Sequence, residues 1–85
     1  MSITTLICLT QGEARAAARR VYNETRYVCR IDKISTGVAV SLPGVPNDEA
    51  ETLFTSIFAQ DIADGYMRVG SCRCKMSVVA TAAAV

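Results

Sequence analysis

The hydrophobic positions of this chain change spacing several times, and each change marks the edge of an element. Residues 3–10, ITTLICLT, form an apolar run of the length of a buried strand. TQGE follows, with Thr10 and Glu13 at the spacing of a capping box. Ala14, Ala17, Ala18, Val21 and Tyr22 then recur at helical intervals. They predict a first helix from Gln11 to about Asn23, with alanines that let it lie close to a sheet. Residues 26–34, RYVCRIDKI, alternate: Tyr27, Cys29 and Ile31 share one side, and Val28, Arg30 and Asp32 the other. STG makes a turn, and VAVSL, residues 38–42, alternates again with Val38, Val40 and Leu42 inward, which reads as a hairpin.

Pro43 ends that strand and opens a loop to Asn47. Asn47 is the expected N-cap of a second helix, with Asp48, Glu49 and Glu51 in its first turn, where anions suit the helix dipole. Ala50, Leu53, Phe54, Ile57, Phe58 and Ile62 form its apolar stripe, and Gly65 is its left-handed stop. Phe54, Phe58 and Tyr22 are expected in the core. The order strand, helix, strand, strand, helix, strand predicts one small α+β domain over residues 1–85. Its simplest right-handed arrangement resembles the ferredoxin-like βαββαβ fold. That fold implies two helices on one face of an antiparallel sheet in the order 4-1-3-2.

The segment GYMRVGSCRCKM, residues 65–76, breaks the alternation at Gly70. A one-residue bulge would explain the change of phase. A two-residue Gly70-Ser71 turn explains it better and predicts an extra C-terminal hairpin strand. That hairpin would pair Val69 with Cys72 and Met67 with Cys74. It would gather Tyr66, Arg68, Arg73 and Lys75 on the opposite face. Leu6, Val28 and Ala39 are expected on the apolar open face of the sheet. The uncharged segment 77–85 would complete the last strand, cross to a second subunit, or fray.

Composition adds constraints. Of 85 residues, 51 % are hydrophobic and 20 % charged, more apolar than so small a core requires. Some apolar surface is therefore expected to meet a partner. The net charge of +1 favours neither nucleic acid nor basic partners. The apolar N-terminal run has no basic residue before it, no cleavage-like site after it, and too little length to span a bilayer. A cytoplasmic protein with reduced thiols and no membrane association is expected.

Histidine is absent, which removes the commonest general base and metal ligand. The cysteines at 8, 29, 72 and 74 lack paired zinc knuckles, so no metal and no cofactor is expected. Alternate strand residues lie about 6.6 Å apart, which disfavours a Cys72–Cys74 bridge. In the order 4-1-3-2, Cys29 would sit about 14 Å from the last strand. A bridge from Cys8 to Cys72 or Cys74 stays open, and the thiols otherwise read as small buried hydrophobes. Metal-carrying ferredoxin-like domains use C-x-x-C after the first strand, where this chain has CLTQGE with one cysteine. RNA-recognition domains of this topology stack bases on central-strand aromatics, which the first and third strands here lack.

Charge is segregated along the chain. Residues 48–64 hold five acids (Asp48, Glu49, Glu51, Asp61, Asp64) and no base, while residues 13–33 hold six bases against three acids. Asp61 and Asp64 oppose the dipole at a helix C-terminus. They are expected to pair with Arg15, Arg19 or Arg20, or to form an acidic patch that docks on a basic surface. The candidate partner-binding residues are Arg68, Arg73, Lys75, Tyr66 and Arg30 on the basic face, and Asp61 and Asp64 on the acidic one. Without histidine or a recognisable nucleophile turn, no enzyme is expected.

The function expected is that of a non-enzymatic protein-binding inhibitor or adaptor, with a homodimer as a further expectation. In size, missing catalytic residues and segregated charge, the chain is similar to the anti-CRISPR inhibitors made by phages. The alternatives are nucleic-acid or acidic-ligand binding through Arg30, Arg68, Arg73 and Lys75, or a structural subunit of an assembly.

Overall fold

The apolar run near the N-terminus becomes the centre of the sheet. The computed structural model describes residues 3–72. It contains β1 (Ile3–Cys8), α1 (Gln11–Thr25), β2 (Arg30–Ile34), β3 (Gly37–Ser41), α2 (Asn47–Ile57), α3 (Ala59–Ala63) and β4 (Met67–Cys72). The four strands form an antiparallel sheet in the order β2-β3-β1-β4, which reads β4-β1-β3-β2 from the other edge. The fold is α+β, an open sheet with three helices. No helix among the described residues is long and apolar enough to cross a membrane.

Strand alternation sends Leu6, Cys8, Val38 and Val40 to one face, where they pack with Ala14, Ala17 and Val21 of α1 and with Ala50 and Phe54 of α2. Phe58 completes this core. Leu6 therefore belongs under the helices, not on the open face. That open face carries Thr5, Ile7, Ala39 and Ser41, all buried. The Thr5 hydroxyl donates to the Gly70 carbonyl at 3.4 Å, so this buried polar group is satisfied.

Helix 1 starts as its capping box requires. The Thr10 hydroxyl accepts from the Glu13 N–H at 3.1 Å, and the Glu13 carboxylate accepts from the Thr10 N–H at 3.2 Å. It runs two residues past Asn23. The Thr25 hydroxyl donates back to the Val21 carbonyl at 2.8 Å, and Arg26 closes the helix in the left-handed region at φ 67°. Residues 26–29 are thereby spent on the cap and the return to the sheet, so β2 begins at Arg30, not Arg26. Val28 is 74 % exposed and lies outside the sheet. Tyr22 is 43 % exposed and outside the core; the Arg26 guanidinium lies over its ring at 5.5 Å.

The expected second helix is two. The track breaks at Phe58, with φ −110° and ψ 27°, and resumes as α3. Phe58 N–H still donates to Phe54 and Ile62 N–H to Phe58, so the break costs little bonding and leaves the Phe58 ring buried. Leu53 and Ile57 are half-buried against the same core. Asn47 is not the cap. Its side-chain oxygen accepts from the Thr4 N–H at 3.0 Å, tying α2 to β1 instead. Gly65, at φ 85°, ends α3 as expected. Its N–H donates to Ile62, and the Tyr66 N–H to Asp61, a Schellman closure.

The Gly70-Ser71 hairpin does not form. β4 pairs with β1 without interruption from Cys8↔Met67 through Thr5↔Gly70 to Ile3↔Cys72. Neither turn nor bulge interrupts it, because Gly70 and Ser71 are held in the ladder opposite Thr5 and Thr4. The expected partners Arg73, Cys74 and Lys75, and the segment 77–85, lie outside the described residues.

Two stability outcomes follow from this packing. Phe54 is fully buried, so Phe54→Ala should cost about 3–5 kcal/mol in urea melts. Tyr22→Ala should cost about 1 kcal/mol or less; equal losses would contradict the assigned helix faces. Gly37, at φ 145°, would place a Cβ 2.4 Å from the Cys8 carbonyl oxygen, whereas Gly44, at φ 82°, meets nothing within 4 Å. Gly37→Ala should therefore be the more destabilising of the two by about 1 kcal/mol or more. The same melts decide it.

Candidate functional site

The expected basic face is not assembled among the described residues. Arg30 and Arg68 lie on the open face, but on opposite edge strands, about 14 Å apart at three strand spacings. Arg30 is already engaged: its Nε meets Asp32 Oδ2 at 3.0 Å, with both side chains 27 % exposed. Arg68 is exposed on β4. Tyr66 precedes the strand, exposed, with its N–H committed to the α3 cap. Arg73 and Lys75 fall outside the described residues.

The acidic candidates are also separated in environment. Asp61 is half-buried and near enough to Cys8 to act on its thiol. Asp64 is exposed and accepts from the Gln60 amide at 3.0 Å. The expected pairing with helix 1 arginines does not occur. The ion pairs among the described residues are Arg20–Glu24 at 3.3 Å and Arg30–Asp32. The Arg20 guanidinium instead lies over the buried Phe58 ring, 5.4 Å from its centre. Since Phe58 sits where the helix breaks, a cation–π contact takes the arginine that an aspartate was expected to hold.

The arrangement that the structure does create is a divided helical layer. α1 exposes Arg15 and Arg19, and its left-handed cap Arg26 lies over the exposed Tyr22 ring. Arg15, Arg19 and Tyr22, four and three residues apart, share one flank of the helix. α2 exposes Asp48, Glu49 and Glu51. A surface depression of about 370 Å³ on α2 is lined by Glu51, Thr52, Thr55 and Ser56, a carboxylate among hydroxyls. No lysine or arginine occurs from residue 34 to residue 67.

Contacts fix how the two stripes run. The Tyr27 hydroxyl donates to Glu49 Oε2 at 2.9 Å, joining the end of α1 to the start of α2. That bond holds the Tyr27 phenol above its ordinary range. Arg20 meets Phe58 further along, nearer the start of α1 and at the end of α2. The helices are therefore antiparallel neighbours. Counting charges by helix face, rather than by segment, would have found the stripes in the sequence. The segment count points to Asp61 and Asp64 and takes the α1 arginines only as their ion-pair partners.

Cys8 and Cys29 are held as thiols at neutral pH. Burial, then the Glu13 and Asp61 carboxylates, push the Cys8 thiol up to about 11. Burial pushes Cys29 up to about 11 as well. Both are free thiols. The Cα of Cys72 pairs with Ile3, five residues along β1 from Cys8, or about 16 Å. A Cys8–Cys72 bridge is thereby excluded, since bridged Cα atoms lie within about 7 Å. Among the described residues no group of three metal-ligating side chains forms.

No family model, no curated protein and no solved structure matches the chain.

Thiol chemistry offers a direct check. Native Cys8 should resist iodoacetamide at about pH 8, Cys29 should react slowly, and both should react fully in denaturant. Peptide mass spectrometry reads the outcome, and fast native labelling of Cys8 would contradict its placement. Because both folded pKa values lie above the unfolded value of 9.0, the folded chain holds protons that the unfolded chain releases. Stability should then be full below pH 9.0 and fall as pH rises to about 11, with a shallower fall in Cys8→Ala.

Proposed function

We propose that this chain is a small non-enzymatic protein-binding module, of the inhibitor or adaptor class, that selects its partner by charge and shape. We read its fold as ferredoxin-like. The strand order, the antiparallel pairing of every neighbour and the core shared by α1 and α2 support that reading. One observation carries the functional reading: α1 exposes Arg15 and Arg19 on the flank opposite the one that meets α2, and α2 exposes Asp48, Glu49 and Glu51 in its first turn with no base on the helix. Folding does not require this separation. Exposed pairs across the two helices would have cost nothing in stability, because surface ion pairs contribute only about 0–1 kcal/mol. Segregated charge instead raises encounter rates and rejects wrong partners.

The raised thiols and the lack of histidine support a role without catalysis. The similarity to anti-CRISPR inhibitors in size and charge segregation supports the inhibitor class.

The working surface is the helical layer, with Glu51 and Asp64 on its acidic side and Arg15 and Arg19 on its basic side. The test is affinity capture from the organism that encodes the chain, comparing wild type with Glu51→Lys/Asp64→Lys and with Arg15→Glu/Arg19→Glu. Each variant should stay within about 0.5 kcal/mol of wild-type stability. A specific protein retained by wild type should be lost from at least one variant. Retention of the same proteins by all three chains would sink the reading.

A further inference from the structure

We infer that the helical layer binds a second copy of this chain. The inference rests on the proposed protein-binding reading and names its partner. α1 exposes Arg15 and Arg19, with Arg26 exposed at its cap, and α2 exposes Asp48 and Glu51, with Asp64 exposed at the cap of α3. Two such layers can face each other about a two-fold axis in two ways. With the axis across the helices, each α1 lies on the other α1, and arginines meet arginines. With the axis along the helices and between them, each α1 lies on the other copy's α2. The second arrangement sets opposite charges together twice. It also sets the helices antiparallel across the interface, so their dipoles attract.

Height along the helices matches too. Within one chain, the Tyr27–Glu49 bond puts the end of α1 level with the first turn of α2. The Arg20–Phe58 contact puts the second half of α1 level with the end of α2, so the start of α1 lies level with α3. An axis along the helices preserves these heights. Arg26 of one copy then reaches the level of Asp48 and Glu51 of the other, and Arg15 the level of Asp61 and Asp64. Arg19 falls nearer Thr55 and Ser56, whose hydroxyls can accept from it. A foreign acidic surface would satisfy one stripe and a foreign basic surface the other. A second copy satisfies both at once. The net charge of +1 sets up little repulsion between copies at long range.

The experiment is equilibrium sedimentation of the purified chain over a concentration series, at about 0.01 M and about 1 M salt, where the Debye length is about 30 Å and about 3 Å. The expected result is a dimer at low salt whose association constant falls at least about tenfold at high salt. Arg15→Glu/Arg19→Glu and Glu51→Lys/Asp64→Lys should each be monomeric at low salt. Mixed one to one, they should form a heterodimer, because one is acidic on both stripes and the other basic on both.

Three results would each overturn the inference: a monomer at low salt throughout, a dimer as tight at high salt, or reversed variants that dimerise like wild type. If circular dichroism shows a variant unfolded, the salt series on wild type decides alone. A monomeric chain that still loses a captured protein on Glu51→Lys/Asp64→Lys overturns the dimer and leaves the protein-binding reading standing. A salt-sensitive dimer that captures nothing supports the dimer and removes the foreign partner.

Discussion

β1 is paired along both edges and buried on both faces, and the placement of every other element follows from that. Leu6 and Cys8 are closed off under the helices, and Thr5 and Ile7 are closed off on the reverse side. A strand buried on both faces cannot tolerate a slip of register, because one residue of slip exchanges its two sets of side chains. Gly37 reinforces the register from β3, since its backbone approaches the Cys8 carbonyl too closely for any side chain. Asn47 reinforces it from α2 by accepting the Thr4 N–H. The edges of the sheet, the angle of the helices and the exposure of their outer faces are consequences of that one fixed strand.

The elements legible in the sequence were those with a strong period and local punctuation. Thr10 with Glu13 started α1, Gly65 ended α3, and Phe54 with Phe58 marked the core, each for reasons that local chemistry contains. The misreadings came where a distant contact decided the outcome. Asn47 resembles an N-cap until Thr4 is brought beside it. Tyr22 sits at a helical interval but turns to Arg26, because the alanines beside it already fill the space above the sheet. Gly70 looked like a turn because the side chains flanking it change phase, yet pairing with Thr5 carries the strand straight through. The candidate site was less legible than the fold. Charge along a chain is visible in sequence, but charge across neighbouring helices depends on which helices become neighbours.

A net charge near zero conceals how polar this molecule is in the directional sense. Four arginines lie in α1 and at its cap, while residues 34–67 hold acids without a base. Folding places those two segments side by side rather than at opposite ends. The contacts between them use an aromatic ring for Arg20 and a phenol for Glu49, so few of the charges cancel internally. The layer retains its charges for an external partner while the sheet below supplies rigidity.

The central position of β1 also sets the order in which the chain can be built. It precedes both of its partners in the chain: β3, from Gly37, and β4, which ends at Cys72. Pairing Ile3 with Cys72 spans the described residues from end to end, so this contact has a long loop to close and forms late. Until its partners are made, β1 is an apolar strand with two free edges, the form in which strands most readily pair with the wrong neighbour. α1 follows immediately with a complete capping box and can shield one face early. The alanine-rich first helix is thus placed to cover one face of the strand that must wait longest for its partners.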